Sequence, residues 1–253
     1  MKQVALALIL CVLVAGCSTK KEMSSTSLSS SGQQAQFFDK EIVKKAELGY
    51  WVYLPEDYGK LDKEWPLLLF LHGGGERGDG VKDIDKVLIL GLPKLIEKGQ
   101  TYPFIMVSPQ CPIKSSWREQ TDELAALVDD VADTYAVDKD RLYVTGPSMG
   151  GGGTWAMIES HPKKFAAAVP ICGRGDKRAA RKRLKDLPVW VFHGAKDKVI
   201  PLAESEVMVD ALKAAGNDQV KFTVYPERGH NSWVPAYATP ELFEWLLGQR
   251  NIN

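Results

Sequence analysis

The 253-residue chain is 45% hydrophobic and 25% charged, ordinary proportions for a globular protein. Its 32 basic and 32 acidic residues cancel, which removes any electrostatic case for nucleic acid or another polyanionic partner. At this length an α/β fold can form as one domain.

Residues 1–16 read as a signal peptide. Lys2 gives a positive start, and Val4 to Ala15 is an apolar run far shorter than the roughly 20 residues that span a bilayer. The run ends in Val14-Ala15-Gly16-Cys17, which resembles a bacterial lipobox. That resemblance implies lipidation of Cys17 and a protein held on a membrane at the periplasmic face or cell surface. Ser18, next in the chain, suits outer-membrane sorting in a Gram-negative host. An ordinary signal peptide with an incidental cysteine is the competing reading. Residues 17–36 are Ser-rich and read as a lipid-anchored tether, leaving residues 37–253 as the folded domain. Of four cysteines, Cys11 leaves with the signal peptide. Cys111 and Cys172 each follow a strand, and can be a disulfide of an exported protein or two small buried thiols.

Within the domain, Tyr50 to Leu54 reads as an antiparallel strand and Leu67 to Leu71 as a strand covered on both faces. Ile84 to Ile96 has a mostly helical apolar pattern interrupted by Gly91 and Pro93. Phe104 to Val107 is the next strand. Thr121-Asp122-Glu123 opens a helix carrying Leu124, Leu127, Val128 and Val131 at helical spacing. Strand Leu142 to Thr145 leads through a glycine-rich turn into a helix from Met149 to about Ser160. Strands Ala166 to Ile171, Val189 to Phe192 and Val220 to Tyr225 follow, separated by helices near Arg178 to Leu184 and Glu204 to Ala214. Glu241 to Leu247 closes the domain. Such alternation specifies an α/β fold with a mostly parallel sheet between two helical layers. Arg174 to Lys185 holds seven basic residues around Asp176, either a patch for an acidic polymer or lipid headgroups or simply a solvated helix face. Only sixteen residues separate Ile171 from Pro188, too few for a large lid.

Gly146-Pro147-Ser148-Met149-Gly150 lies between a strand and a helix, where a G-x-S-x-G string places a serine nucleophile on a tight turn. A serine hydroxyl needs a base, and the base a third group to orient it. Of four histidines, His72 and His193 sit at strand ends, His161 precedes Pro162, and His230 alone follows the last strand. His230 is therefore the expected base. Asp197, in the loop after strand Val189 to Phe192, is the expected acid. Asp176 and Asp186 lie in less suitable places, and Glu204 also competes. For the oxyanion, Met149 and Gly74 are the expected backbone donors, with Gly73 and Gly75 as alternatives to Gly74 in Leu71-His72-Gly73-Gly74-Gly75. No cofactor is implied, and no Asp/His cluster has metal-ligand spacing.

The run Leu71 to Gly78, Ser108-Pro109-Gln110-Cys111-Pro112, Gly146 to Gly153, Pro170 to Gly173, His193 to Pro201 and Gly229-His230-Asn231-Ser232-Trp233 occur in one order. Together they resemble bacterial carboxylesterases of the α/β-hydrolase fold related to dienelactone hydrolases and to feruloyl and acetylxylan esterases, sequences often labelled peptidases by similarity to prolyl oligopeptidase. The resemblance covers about Tyr50 to Leu247 and implies Ser148, Asp197 and His230 as a triad. Pro147 departs from it, since relatives commonly carry leucine, phenylalanine or glutamine there, and this bears on pocket shape. The expected function is hydrolysis of a carboxylic ester, including carbohydrate-linked acetyl or aromatic esters. A serine peptidase or amidase and a non-catalytic surface-binding lipoprotein are the alternatives. Trp117 and Trp233 are candidate walls for a sugar or phenolic ring, though ordinary packing also accounts for both. The oligomeric state is left open by the sequence.

Overall fold

A computed structural model describes residues 45–251. The signal segment 1–16, Cys17, the 17–36 tether and the expected domain start at Phe37 lie outside the described residues. Seven strands form one sheet in the order β1-β3-β2-β4-β5-β6-β7. They are β1 (Tyr50–Tyr53), β2 (Trp65–Phe70), β3 (Ile105–Pro109), β4 (Val137–Pro147), β5 (Ala167–Ile171), β6 (Val189–Gly194) and β7 (Val220–Tyr225). Only β1 runs antiparallel, against β3; the other neighbours pair in parallel.

The period-two alternation of side chains divides the core between the two faces. Leu67, Leu69 and Leu71 of the β2 segment point to one side. There Val107, Val144 and Val191 join them beneath helices α2 (Thr121–Thr134), α3 (Met149–Ser160), α4 (Lys177–Arg183) and α5 (Ala203–Ala214). Leu68 and Phe70 point to the other side, with Met106, Tyr143 and Phe192. That side is covered by α1 (Gly91–Glu97), α6 (Trp233–Tyr237) and α7 (Pro240–Leu247). The unbroken hydrophobic run of β2 is thus the signature of a strand clad on both faces. No helix among the described residues is long and apolar enough to cross a membrane.

Three elements depart from the sequence expectation. The pattern from Ile84 to Ile96 is two pieces, a 3-10 turn Ile84–Ile89 and then α1, because Gly91 takes φ +62° where a Cβ would stand 2.5 Å from the Phe70 ring. β4 is longer than Leu142 to Thr145, since its flanking residues continue the ladder beyond the apolar stretch. Helix α6 was not expected; five residues beginning at Trp233 are too few to show a helical period.

β2, β3, β4, β5 and β6 all end at one edge of the sheet, so the loops that follow them converge there. The opposite edge is structural. Asn217, 3% exposed, donates through Nδ2 to the carbonyls of Leu184 (2.7 Å) and Leu187 (2.8 Å) and accepts from Gln219 N at 2.9 Å. Asn217→Ala leaves two buried carbonyls without these donors. It is expected to lower unfolding stability by about 2–3 kcal/mol in urea titration, and a loss below about 0.5 kcal/mol would contradict this role.

Candidate active site

Ser148 occupies the junction of β4 and α3 at φ 57° and ψ −116°, a left-handed conformation that costs a non-glycine residue on the order of 1–3 kcal/mol. The surrounding contacts hold it there. Its N–H donates to Ile171 O at 2.9 Å, and its own carbonyl accepts from Gly152 N at 2.9 Å. The flanking glycines permit the approach of neighbouring backbone: a Cβ on Gly150 would lie 1.8 Å from Leu71 O, and one on Gly146 2.2 Å from the same atom. Pro147 is compatible with this turn because it ends β4 in register with Ile171 of β5.

His230 follows β7 and reaches back to Ser148. Its Nδ1 lies 2.7 Å from Asp197 Oδ2 and its Nε2 2.8 Å from Ser148 Oγ. A carboxylate accepts, so Nδ1 carries the proton and Nε2 is left to accept the serine hydroxyl. The His230 loop is fastened by Lys196 N donating to Arg228 O (2.8 Å) and by the Cys172 thiol donating to His230 O (3.3 Å).

Asp197 sits in the turn after β6 with its side chain fully buried. Oδ1 accepts from Val199 N (2.8 Å) and Ile200 N (3.0 Å). Burial by itself would raise its pKa, but the hydrogen bond from His230 and those two amides outweigh it and hold the carboxyl below its usual value. The competing acids have other partners. Asp176 caps α4 through Arg178 N and Ala179 N, Glu204 pairs with Arg174 at 3.4 Å, and Asp186 is exposed ahead of β6.

Gly74 and Met149 are both partly exposed beside Ser148's turn. Because Gly150 packs on the carbonyls of Leu71 and His72, the start of α3 and the glycine loop after β2 are neighbours. His72 anchors that loop. Its Nε2 accepts from Cys111 N at 2.9 Å, so its Nδ1–H donates to Gly73 O at 2.6 Å. Burial, more than any charge, pushes its pKa down to about 4, which keeps it neutral.

Trp117 requires a correction. It is 0% exposed, donates Nε1–H to His72 O at 2.9 Å and meets the His72 ring edge-on at 4.8 Å. It is a pillar under the glycine loop and not a wall open to solvent. Trp233 is half-buried with its ring perpendicular to that of His230, centroids 5.6 Å apart. Cys111 and Cys172 are free, buried thiols, both pushed up to about 12, chiefly by burial. Cys172, Asp197 and His230 hold donor atoms within 4.8 Å of one another. Those of Asp197 and His230 are already bonded to each other, and the thiol is protonated at neutral pH.

The segment between β5 and β6 contains only α4, which packs on α5 and α3, and Ser148 is partly exposed. A surface cavity of about 590 Å³ lined by Asp129, Leu142, His161 and Lys164 lies at the opposite sheet edge and includes none of these site residues.

Residues 32–237 match the family model described as Dienelactone hydrolase family. A Methylorubrum extorquens protein named as a carboxymethylenebutenolidase is 36% identical over 117 residues, 43% of this chain and 40% of that protein. A bifunctional acetylxylan esterase/xylanase of Neocallimastix patriciarum is 29% identical over 108 residues, 41% of this chain and 16% of that protein. The crystal structure of a thermostable esterase superposes with TM-score 0.64 at 33% identity, over 89% of this chain and 62% of that one. The chain therefore spans less than two thirds of the length of each of these relatives.

The lowered pKa of Asp197 sets a sign. Its contribution to stability is present above the unfolded carboxyl value, near pH 4, and is lost as pH falls through the lower folded value. The stability deficit of Asp197→Asn, measured by urea unfolding, is expected to be largest above about pH 5 and to shrink on acidification. A deficit independent of pH would contradict this.

Proposed function

We propose that this chain, which belongs to the dienelactone hydrolase family, is a serine carboxylic ester hydrolase in which Ser148, His230 and Asp197 carry out acyl transfer. One observation carries the reading: a continuous hydrogen-bond chain from a strained, partly exposed serine through His230 to a buried carboxylate. Ser148 Oγ attacks the ester carbonyl while His230 Nε2 takes its proton, and Asp197 stabilises the imidazolium that forms. The N–H groups of Met149 and Gly74 receive the oxyanion. His230 then gives its proton to the leaving alcohol. Water repeats the sequence on the acyl-enzyme, releasing the acid and restoring the Ser148 hydroxyl.

The partly exposed Ser148 and the single short helix between β5 and β6 favour an ester presented on a bulky alcohol over a long acyl chain. Trp233 beside His230 offers an aromatic face to a sugar or phenolic ring, and the acetylxylan esterase relative favours an acetyl group on a carbohydrate. Cys17 is proposed as the lipidated residue that tethers the enzyme outside the cytoplasm.

Para-nitrophenyl acetate is expected to be turned over by the wild type and at least about 10³-fold more slowly by Ser148→Ala. Equal turnover by the variant, or preferential cleavage of a peptide anilide, would overturn the esterase reading. Expressed in a bacterial host, the full chain is expected to sediment with membranes, and Cys17→Ser to reduce the sedimented fraction several-fold; equal fractions would exclude the lipid anchor.

A further inference from the structure

A second histidine stands against Asp197. His193, the penultimate residue of β6, is 0% exposed, and its Nε2 lies 3.2 Å from Asp197 Oδ2 and 2.9 Å from Ile200 O. The carbonyl of Ile200 can only accept, so Nε2 carries a hydrogen and donates it there, with Asp197 Oδ2 in close polar contact beside it. On the far side of the ring, Nδ1 lies 2.7 Å from Ser205 Oγ. The Ser205 hydroxyl at the start of α5 is wholly buried, and with the Nε2 hydrogen directed at Ile200 O it is placed to donate to Nδ1.

We propose that Ser205 and His193 are positioning residues for the acid, extending the chain to Ser205–His193–Asp197–His230–Ser148. The inference rests on the catalytic reading of Ser148. Asp197 Oδ2 is hydrogen-bonded to His230 and has His193 Nε2 3.2 Å away, while Oδ1 accepts from the amides of Val199 and Ile200. These contacts hold the carboxylate turned toward His230. The arm also closes on itself, because Ile200, whose carbonyl accepts from His193, gives its own N–H to Asp197. Of the charged groups nearby, Lys196 and Lys198 are exposed and Lys196 pairs with Glu227. Cys172 contributes a protonated thiol.

Two consequences follow, with different signs. Losing the arm loosens Asp197 and therefore His230, which lowers the rate of the chemical step and leaves substrate binding untouched. It also removes the polar N–H edge of His193 from beside Oδ2, so that Asp197 holds the protonated form of His230 more firmly. The acid limb of the kcat/KM profile then moves to higher pH. A residue that merely fills space would not move that limb.

The test measures para-nitrophenyl acetate hydrolysis against pH on the Cys17→Ser chain, used as the parent. His193→Phe is expected to lower kcat by about 10- to 100-fold with KM within about twofold, and to raise the acid limb by roughly half a unit. His193→Gln, which restores an N–H donor, is expected to recover kcat to within about fivefold of the parent. Ser205→Ala is expected to lower kcat several-fold in the parent but to add nothing in the His193→Phe background, because it acts through the ring. If His193→Phe does not fold, Ser205→Ala and His193→Gln in the parent carry the same test through kcat and the acid limb. Unchanged kcat and limb in the folded variants, or full additivity of Ser205→Ala with His193→Phe, would overturn the positioning arm. If Ser148→Ala retained the parent's turnover, the catalytic reading itself would fall. Loss of activity in Ser148→Ala with unaffected His193 and Ser205 variants would remove the arm alone.

Discussion

The site depends on one steric constraint, the contact between the start of α3 and the carbonyl of Leu71. Gly150 has no room for a Cβ beside that oxygen, and neither has Gly146. The closeness does two things at once. It forces the chain between β4 and α3 through a left-handed residue, lifting the Ser148 side chain out of the sheet edge. It also brings the loop after β2 against Gly150, so that the Ser148 turn and the glycine loop share one close contact. The strain at Ser148 is small beside the burial of the strands on either side, where Leu69, Val144 and Val169 are at most 1% exposed.

Around this turn burial keeps three polar side chains neutral. His72 is held uncharged by burial, and Cys111 and Cys172 are kept as thiols by the same cause. Asp197 is the exception, a buried carboxylate that stays ionised because hydrogen bonds from His230 and two backbone amides exceed the desolvation cost. A buried carboxylate hydrogen-bonded to His230 Nδ1 is the arrangement expected if that ring must become cationic for an instant.

Much of this was legible in the sequence, for physical reasons that differ by element. Strands buried on both faces leave unbroken apolar runs, so β2, β3 and β5 were evident. Ser148 was marked by its glycines, and Asp197 and His230 by the rule that groups at the ends of parallel strands converge; the structure brings these three side chains into hydrogen-bond contact. What the sequence hid was direction. Trp117 looks like any aromatic after a strand, and only tertiary packing turns its indole inward to His72 O. His72 and His193 read as strand-end residues before glycine, but no local pattern says that one braces the glycine loop and the other meets the acid. Helix α6 was too short to leave a period, and the break at Gly91 depends on a contact with Phe70 distant in sequence.

The charge distribution adds a last step. The net balance of zero conceals a surface that is not uniform. All seven basic residues from Arg174 to Lys185 are exposed, and only Arg174 and Arg183 among them reach a partner, at Glu204 and Glu159 O. Five of them lie on α4, which follows β5 after a short loop that opens with Cys172, bonded to His230 O. Asp176 starts that helix by capping it, while Glu159, buried and raised by desolvation, takes Asp176 N and Arg118 from below. An acid in this loop is therefore fully engaged in ending one element and beginning another. That leaves the turn after β6, where the amides of Val199 and Ile200 both donate to Asp197, as a place on this edge built to hold a buried carboxylate.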